Sequence, residues 1–399
     1  MFQILYISSL SSKRLINEIK EKTGRDPGYA VQKFNRFVTH GLKQNGINVK
    51  IYSNPPVNKI VGRRWVSLPP QADEGLTYNY VKFFNIPLLK DLCVFLSTFW
   101  KVFSFGLLSK REKAVICDVL AISMNLGAVL AAKLTGIRVV GVVTDMPGLM
   151  VNLSSNKGRI PLHSRIISTI NRSYLSSYTH YVFLTEQMNN VINQHNRPYI
   201  VMEALCDNTL FNETDCSSKE KPRMVMYAGG LHEKYGLKML VEGFRKLKRD
   251  DIKLVLYGSG PYVDELLQVV KDDVRLEYRG LAPNEEVMRE QLKATLLVNP
   301  RPTSEEFTQY SFPSKNMEYM SSGTPLLTTK LPGMPKDYNP YVYLFDEESV
   351  EGYARTLDKI LSLSPEELSD KGVKAKQFVL ENKNYVIQAK RILNLIEKK

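Results

Sequence analysis

Cysteine is scarce in this 399-residue chain: four residues, at 93, 117, 206 and 216, and no two stand as C-x-x-C. That suggests neither a zinc site nor a disulfide framework, and it makes a reducing cytoplasm the expected compartment. Only five histidines are present, and no cluster of His, Asp and Glu has metal-ligand spacing, so no metal and no cofactor are expected. No apolar run reaches 18 residues, so no segment is expected to span a membrane. The start, MFQILYISSL, lacks the charged opening and cleavage site of a signal peptide and reads as a first strand. Low-complexity tracts and fixed-period repeats are missing too, which excludes disordered and solenoid classes. The interleaved aromatic and basic motifs of nucleic-acid modules are also absent, so no nucleic acid is expected as a partner.

What is present is a globular composition on a chain too long for one ordinary core, which favours two domains. Charge is unevenly shared. Residues 1–200 hold 25 Lys/Arg against 10 Asp/Glu, so the whole net charge of +13 resides in that half. An excess of this kind suits an anionic partner such as a phospholipid surface, or is simply a solvated basic face.

Strand-like apolar runs alternate with helical patterns. FQILYIS (2–8) precedes a helical segment, 29–44, apolar at Tyr29, Val31, Phe34, Phe37, Val38 and Leu42; VKIYS follows at 49–53. Runs at 114–120, 139–145, 180–185 and 199–204 continue the alternation. After a polar stretch, NETDCSSKEKPR (212–223), the cycle restarts with MVMYAGG (224–230), IKLVLYGSG (252–260), VRLEYRG (274–280), TLLVNP (295–300) and PLLTT (325–329), with helices between. Near-continuous apolar strands separated by helices predict parallel sheets covered on both faces. The expected class is α/β with two doubly wound, Rossmann-like domains at 1–205 and 206–381, and a helix at 382–399. Ligands in such sheets bind at the carboxyl ends of the strands.

Four strand-end loops of the second half carry the chemistry. Gly229-Gly230 and Gly258-x-Gly260 allow a ligand to approach the backbone closely, and helix starts after them favour phosphate. Lys234 and Tyr235 add a cation and a hydroxyl. In YRGLAPNEE (278–286), Asn284 reads as a helix N-cap, and the backbone before it is placed to pair with a flat base edge. Arg301 follows a strand directly and points into the crevice. In YSFPSKNMEYMSSGTP (310–325), Pro313 suits a first helical turn. The N–H groups of Ser314, Lys315 and Asn316 then stand unpaired beside the Lys315 charge, a seat for a diphosphate. Glu318, four residues after Ser314, faces the same side and can take two ribose hydroxyls. Gly323 ends that helix and Pro325 opens the next strand.

These residues resemble the nucleotide-sugar-binding domain of retaining GT-B glycosyltransferases of family 4. The matching positions are Ala228-Gly229-Gly230-Leu231, Gly258-Ser259-Gly260-Pro261, Arg279-Gly280-Leu281, and Glu318 with Ser321, Gly323 and Pro325. Phe312-Pro313-Ser314-Lys315 matches a subset with F-P-S-K before the second glutamate of E-x7-E. Three positions depart: Gly230 stands at the family's arginine, Tyr235 at its lysine, and Tyr310 at its first glutamate. Lys315, Arg301 and Lys234 are the cations available to replace what is lost.

The resemblance implies a GT-B architecture with a cleft between domains and the last helix crossing back to the first domain. It implies a metal-independent transferase that moves a sugar from a nucleoside diphosphate to a hydroxyl of a glycan acceptor. The expected donor-site residues are Gly229, Gly230, Lys234, Tyr235, Gly258, Gly260, Arg279, Leu281, Arg301, Tyr310, Ser314, Lys315 and Glu318. Gly28, Tyr29 and Thr144 fall on the acceptor side, and Asp145, Lys315 and Glu318 are the catalytic candidates. A nucleotide-sugar epimerase on the same scaffold, acting without an acceptor, is the alternative enzyme, and a nucleic-acid binder using the basic half is the alternative of another class. Residues 83–113, dense in Phe, Leu and Trp, either bury a helix against the first sheet or rest on an anionic bilayer, where the acceptor would be linked to a lipid diphosphate.

Overall fold

The computed structural model describes residues 2–24, 29–57, 64–108, 112–146, 174–206, 219 and 221–397. The chain forms two compact units, Met1–Leu205 with Tyr385–Lys399, and Cys206–Asn384.

The described strands of the first unit are Gln3–Ser8 (β1), Asn48–Ser53 (β2), Trp65–Val66 (β3), Gln71–Asp73 (β4), Leu76–Tyr80 (β5), Phe83–Phe84 (β6), Lys113–Asp118 (β7), Arg138–Val143 (β8), His180–Phe183 (β9) and Tyr199–Val201 (β10). Eight of them form one sheet in the order β10-β9-β8-β7-β1-β2-β5-β4, and β3 pairs with β6 in a separate ribbon. Every pair in the large sheet is parallel except β4–β5. That antiparallel edge is absent from the sequence reading. Glu74 and Gly75, both at positive φ (49° and 71°), turn it in two residues, the geometry that matches strand twist. The helix Lys13–Thr23 is a second addition, started by Ser12 Oγ accepting Leu15 N–H at 3.1 Å and ended at Gly24.

The last helix, Tyr385–Glu397, belongs to the first unit. Tyr385 stacks on Phe37 at 5.5 Å, Asn45 Nδ2 donates to Val386 O at 2.9 Å, and Arg391 donates to Val201 O at 2.9 Å. Its apolar stripe, Ala389, Ile392, Leu393 and Ile396, is buried. The preceding helix, Pro365–Asn382, stays with the second unit, so the change of unit falls at Asn384.

The second unit holds Arg223–Ala228 (β11), Ile252–Tyr257 (β12), Leu276–Tyr278 (β13), Leu296–Asn299 (β14), Leu326–Thr328 (β15) and Tyr343–Leu344 (β16). They form one parallel sheet in the order β13-β12-β11-β14-β15-β16. The chain winds outward from β11 through β12 to β13, then returns to β14 on the other side of β11. The crevice at that reversal is where such sheets bind ligands.

Ile392→Ala is expected to cost about 2–4 kcal/mol, because the buried side chain leaves a cavity. Denaturant unfolding followed through Trp65 and Trp100, the chain's two tryptophans and both in the first unit, reads this directly. An unchanged midpoint would mean that the terminal helix adds nothing to that unit.

Candidate active site

The reversal between β11 and β14 sets Gly229-Gly230, which end one strand, beside Pro300-Arg301, which end the other. The helix Ser314–Ser322 closes this crevice. Three ties hold it there. Tyr319, fully buried, accepts Ala228 N–H at 2.9 Å and donates to Ala228 O at 3.2 Å. Asn299 at the end of β14 donates to Asn316 Oδ1 at 2.6 Å. Gln291 Nε2 donates to Glu318 Oε1 at 2.7 Å, while Thr324 Oγ1 holds the Gln291 carbonyl at 2.9 Å.

Pro313 stands one position outside the expected first turn, as the cap, so Ser314 is the first helical residue. Asn316 N–H returns to Pro313 O at 2.9 Å. The N–H groups of Ser314 and Lys315 are therefore the two the first turn cannot pair itself. The same one-residue shift occurs at Asn284: Pro283 is the cap, and the Asn284 side chain donates to Met288 Sδ at 3.2 Å instead. In both places proline supplies the extended entry, which leaves the polar residue free of a capping role.

Lys315 lies across Gly229. A Cβ on Gly229 would sit 2.2 Å from Lys315 Cε, so only glycine leaves the side chain its course. The ammonium donates to Ala228 O and stands 5.7 Å from the centre of the Tyr227 ring. Burial pulls it down to about 8; the Glu318 carboxylate opposes the fall and Arg301 adds to it. The Arg301 guanidinium stands 5.0 Å from the Tyr235 ring centre and 5.2 Å from that of Phe307, and its Nε is buried without a partner. Burial depresses this guanidinium too. Among the described residues neither cation makes an ion pair. Two half-buried positive charges without an ion pair, beside a glycine-lined turn, are an arrangement suited to an anion.

Gly258 completes the turn at φ 128°, pressed against Gly229: a Cβ there would lie 1.8 Å from Gly229 O. Gly260 packs on Leu231 O in the same way. Tyr227 Oη donates to Gly230 O at 2.9 Å and so fixes the loop's far end.

Other residues fall outside this cluster. Arg279 is consumed by Glu277 and Glu290, each at 2.7 Å, and by Tyr257 Oη at 3.1 Å, so its side chain is a structural tie. Leu281 is exposed beyond β13. Lys234 is exposed and lies 5.7 Å from the centre of the Tyr235 ring. Tyr310 follows the short turn Glu306–Gln309, and Ser314 is exposed at the helix start. In the first unit, Thr144 and Asp145 follow β8. Thr144 Oγ1 is buried without a partner, and the Asp145 carboxylate accepts Met146 N–H at 2.8 Å while burial raises its pKa. Gly28 lies outside the described residues, and Tyr29 begins the helix Tyr29–Gln44 with only its backbone described. The described residues contain no group of three His, Cys, Asp or Glu able to hold a metal.

The site also uses residues that the sequence reading omits, Tyr227, Phe307, Tyr319, Asn299 and Gln291, and the side chain of Asn316, which is read there only for its N–H. Their signal is weak. Tyr227 and Tyr319 are aromatic residues in a strand and a helix, where packing is their ordinary role, and Gln291 becomes notable only once its burial beside Glu318 is seen.

Comparison with known proteins places this geometry in a class. Residues 212–378, within the second unit, match the family described as Glycosyl transferases group 1. A putative colanic acid biosynthesis glycosyltransferase, WcaL of Escherichia coli K12, is 24% identical over 199 residues. That match covers 48% of this chain and 49% of WcaL, so the chain spans about half the length of the curated relative it matches. Among solved structures, HepE of Anabaena in complex with UDP aligns over 98% of both chains with a TM-score of 0.63 and 11% identity. The lipopolysaccharide outer core galactosyltransferase WaaB, in its apo form, aligns over 99% of both with a TM-score of 0.61 and 16% identity. The fold is GT-B.

Two glycine substitutions separate the roles of the turn. Gly229→Ala meets chiefly the movable end of a lysine side chain, with the Tyr227 hydroxyl at 3.0 Å, and is expected to lower the melting temperature far less than a clash with backbone. Gly258→Ala meets backbone at a φ alien to L-residues and is expected to cost at least about 2 kcal/mol. Equal loss in both variants, measured by thermal denaturation, would contradict this packing.

Proposed function

We propose that the chain is a retaining, metal-independent glycosyltransferase of surface polysaccharide assembly. It moves a sugar from a nucleoside diphosphate to a hydroxyl of a glycan acceptor carried on a lipid diphosphate at the cytoplasmic face of a membrane. The observation that carries the reading is the unneutralised pair Arg301 and Lys315 over Gly229. As the bond from the anomeric carbon to the diphosphate oxygen breaks, negative charge gathers on the leaving group. Fixed cations in a dry crevice stabilise that charge more than the ground state, which is how such a site raises the rate. Arg301 takes over the duty of the arginine replaced by Gly230. Glu318, steadied by Gln291, receives the ribose hydroxyls. Backbone at Arg279-Gly280-Leu281 faces the base, and Asp145 with Thr144 serves the acceptor side. The UDP bound to HepE and the polysaccharide role in the name of WcaL support this reading.

The test is donor kinetics against pH. Because kcat/KM reports groups of the free enzyme, it is expected to fall as pH rises through about 8, where Lys315 loses its proton. Lys315→Arg keeps the charge and is expected to abolish that limb. Arg301→Met is expected to lower kcat/KM roughly tenfold to a hundredfold at every pH, the worth of one charge-assisted hydrogen bond. A limb that persists in Lys315→Arg, or wild-type rates in Arg301→Met, would overturn the assignment.

A second expectation follows from meeting the leaving-group charge with side chains. Sugar transfer is expected to survive EDTA, and loss of activity that manganese restores would contradict it. Donor turnover that needs no acceptor at all would favour an epimerase instead.

A further inference from the structure

The helix Leu89–Leu108 is apolar on two opposite faces. One face is used by the fold: Val94, Thr98 and Val102 are buried, and the helix Ile122–Thr135 packs so closely that a Cβ on Gly127 would lie 2.5 Å from Phe95 O. The other face carries Leu89, Leu92, Leu96, Trp100, Phe103 and Leu107, spaced by three and four residues into a single stripe. Trp100 is 62% exposed and Leu96 45%. By length and composition the helix is apolar enough to cross a bilayer. Asp91 and Lys101 break the apolar run in sequence, which is why no span was expected there. The buried face anchors the helix to its own unit, so it is built to lie along an interface and not to cross it.

Neighbouring features agree. Leu88, just before the helix, is 83% exposed and held at φ 64°, a conformation costly for leucine. Trp65 and Phe84 place two exposed rings 4.5 Å apart on the β3–β6 ribbon, which contacts the same helix. The stripe itself contains no acid, and the helix's one carboxylate, Asp91, accepts a hydrogen bond from Ser123 at 2.6 Å. Lys101 is exposed beside the stripe, whereas the Lys90 ammonium is turned inward, donating to Val57 O at 3.0 Å. The half of the chain that holds this face has 25 basic residues against 10 acidic ones.

We propose that this stripe is a docking surface for an anionic phospholipid leaflet, entered by the Leu and Trp side chains and steered by Lys101 and the basic excess of this half of the chain. A second copy of the chain would bring the same basic border against itself, whereas anionic headgroups complement it. The proposal rests on the transferase reading only for the reason a membrane is the place of work; lipid binding is measured without donor or acceptor.

The experiment is co-sedimentation of the full chain with vesicles of phosphatidylcholine alone or mixed equally with phosphatidylglycerol. Binding to the anionic vesicles is expected to be at least about tenfold tighter at low salt and largely lost at about 0.5 M salt. Leu92→Gln with Leu96→Gln is expected to weaken it about tenfold or more. Should that double variant fail to fold, Trp65→Phe leaves Trp100 as the one reporter, and bromine-labelled lipid is expected to quench it. Equal binding to both vesicles, binding to neither, an unquenched Trp100, or a salt-stable dimer broken by the leucine substitutions would each overturn the proposal. Transfer to a soluble acceptor that continues in those cases would leave the transferase reading standing.

Discussion

Two positive charges, Arg301 and Lys315, are held half-buried in one crevice, and among the described residues neither makes an ion pair; Glu318 acts on Lys315 only from a distance. That is an expensive arrangement: burial disfavours the charge on each cation, and Arg301 further lowers the affinity of Lys315 for its proton. The scaffold offsets the cost without cancelling the charge. Aromatic faces of Tyr235 and Phe307 flank the guanidinium, and a backbone carbonyl takes the ammonium. These partners are weak enough to leave both cations available to an incoming dianion.

The rest of the second unit reads as the means of holding that pair. The return of the chain to β14 sets Arg301 beside the β11 turn, and a parallel sheet makes this inevitable once the strand order reverses. Gly229 clears the path of the lysine, and Gly258 lets two loops touch through their backbones. Tyr319 binds the helix to the end of β11, and Asn299 binds it to the end of β14. Glu318 does double service: it is steadied by Gln291, and its charge keeps Lys315 from falling further.

Much of this was legible from residues alone, because doubly wound sheets write themselves as apolar runs with glycine at the ends. The strands at 224–230, 252–260 and 295–300 and the helix after Pro313 stand where periodicity puts them, with ends shifted by a few residues. The helix starts slipped by one residue, since Pro283 and Pro313 supply the extended entry and each takes the cap position itself. The antiparallel β4–β5 edge and the helix Lys13–Thr23 were not read, being short or largely polar; their signals are a two-residue turn and a serine cap. Arg279 looks like a ligand cation in sequence, and only the folded chain brings Glu277 and Glu290 to it. Long-range pairing of this kind carries no local pattern.

The central claim is that the crevice between β11 and β14 holds a cation pair awaiting a diphosphate, with one member poised near neutrality. Calorimetric titration with UDP at pH 8, in buffers of different ionisation enthalpy, measures it. Lys315 is then about half protonated, and a bound diphosphate raises its pKa, so binding should take up nearly half a proton per site in the wild type and almost none in Lys315→Arg. Binding without proton uptake, or the same uptake in both proteins, would contradict the account.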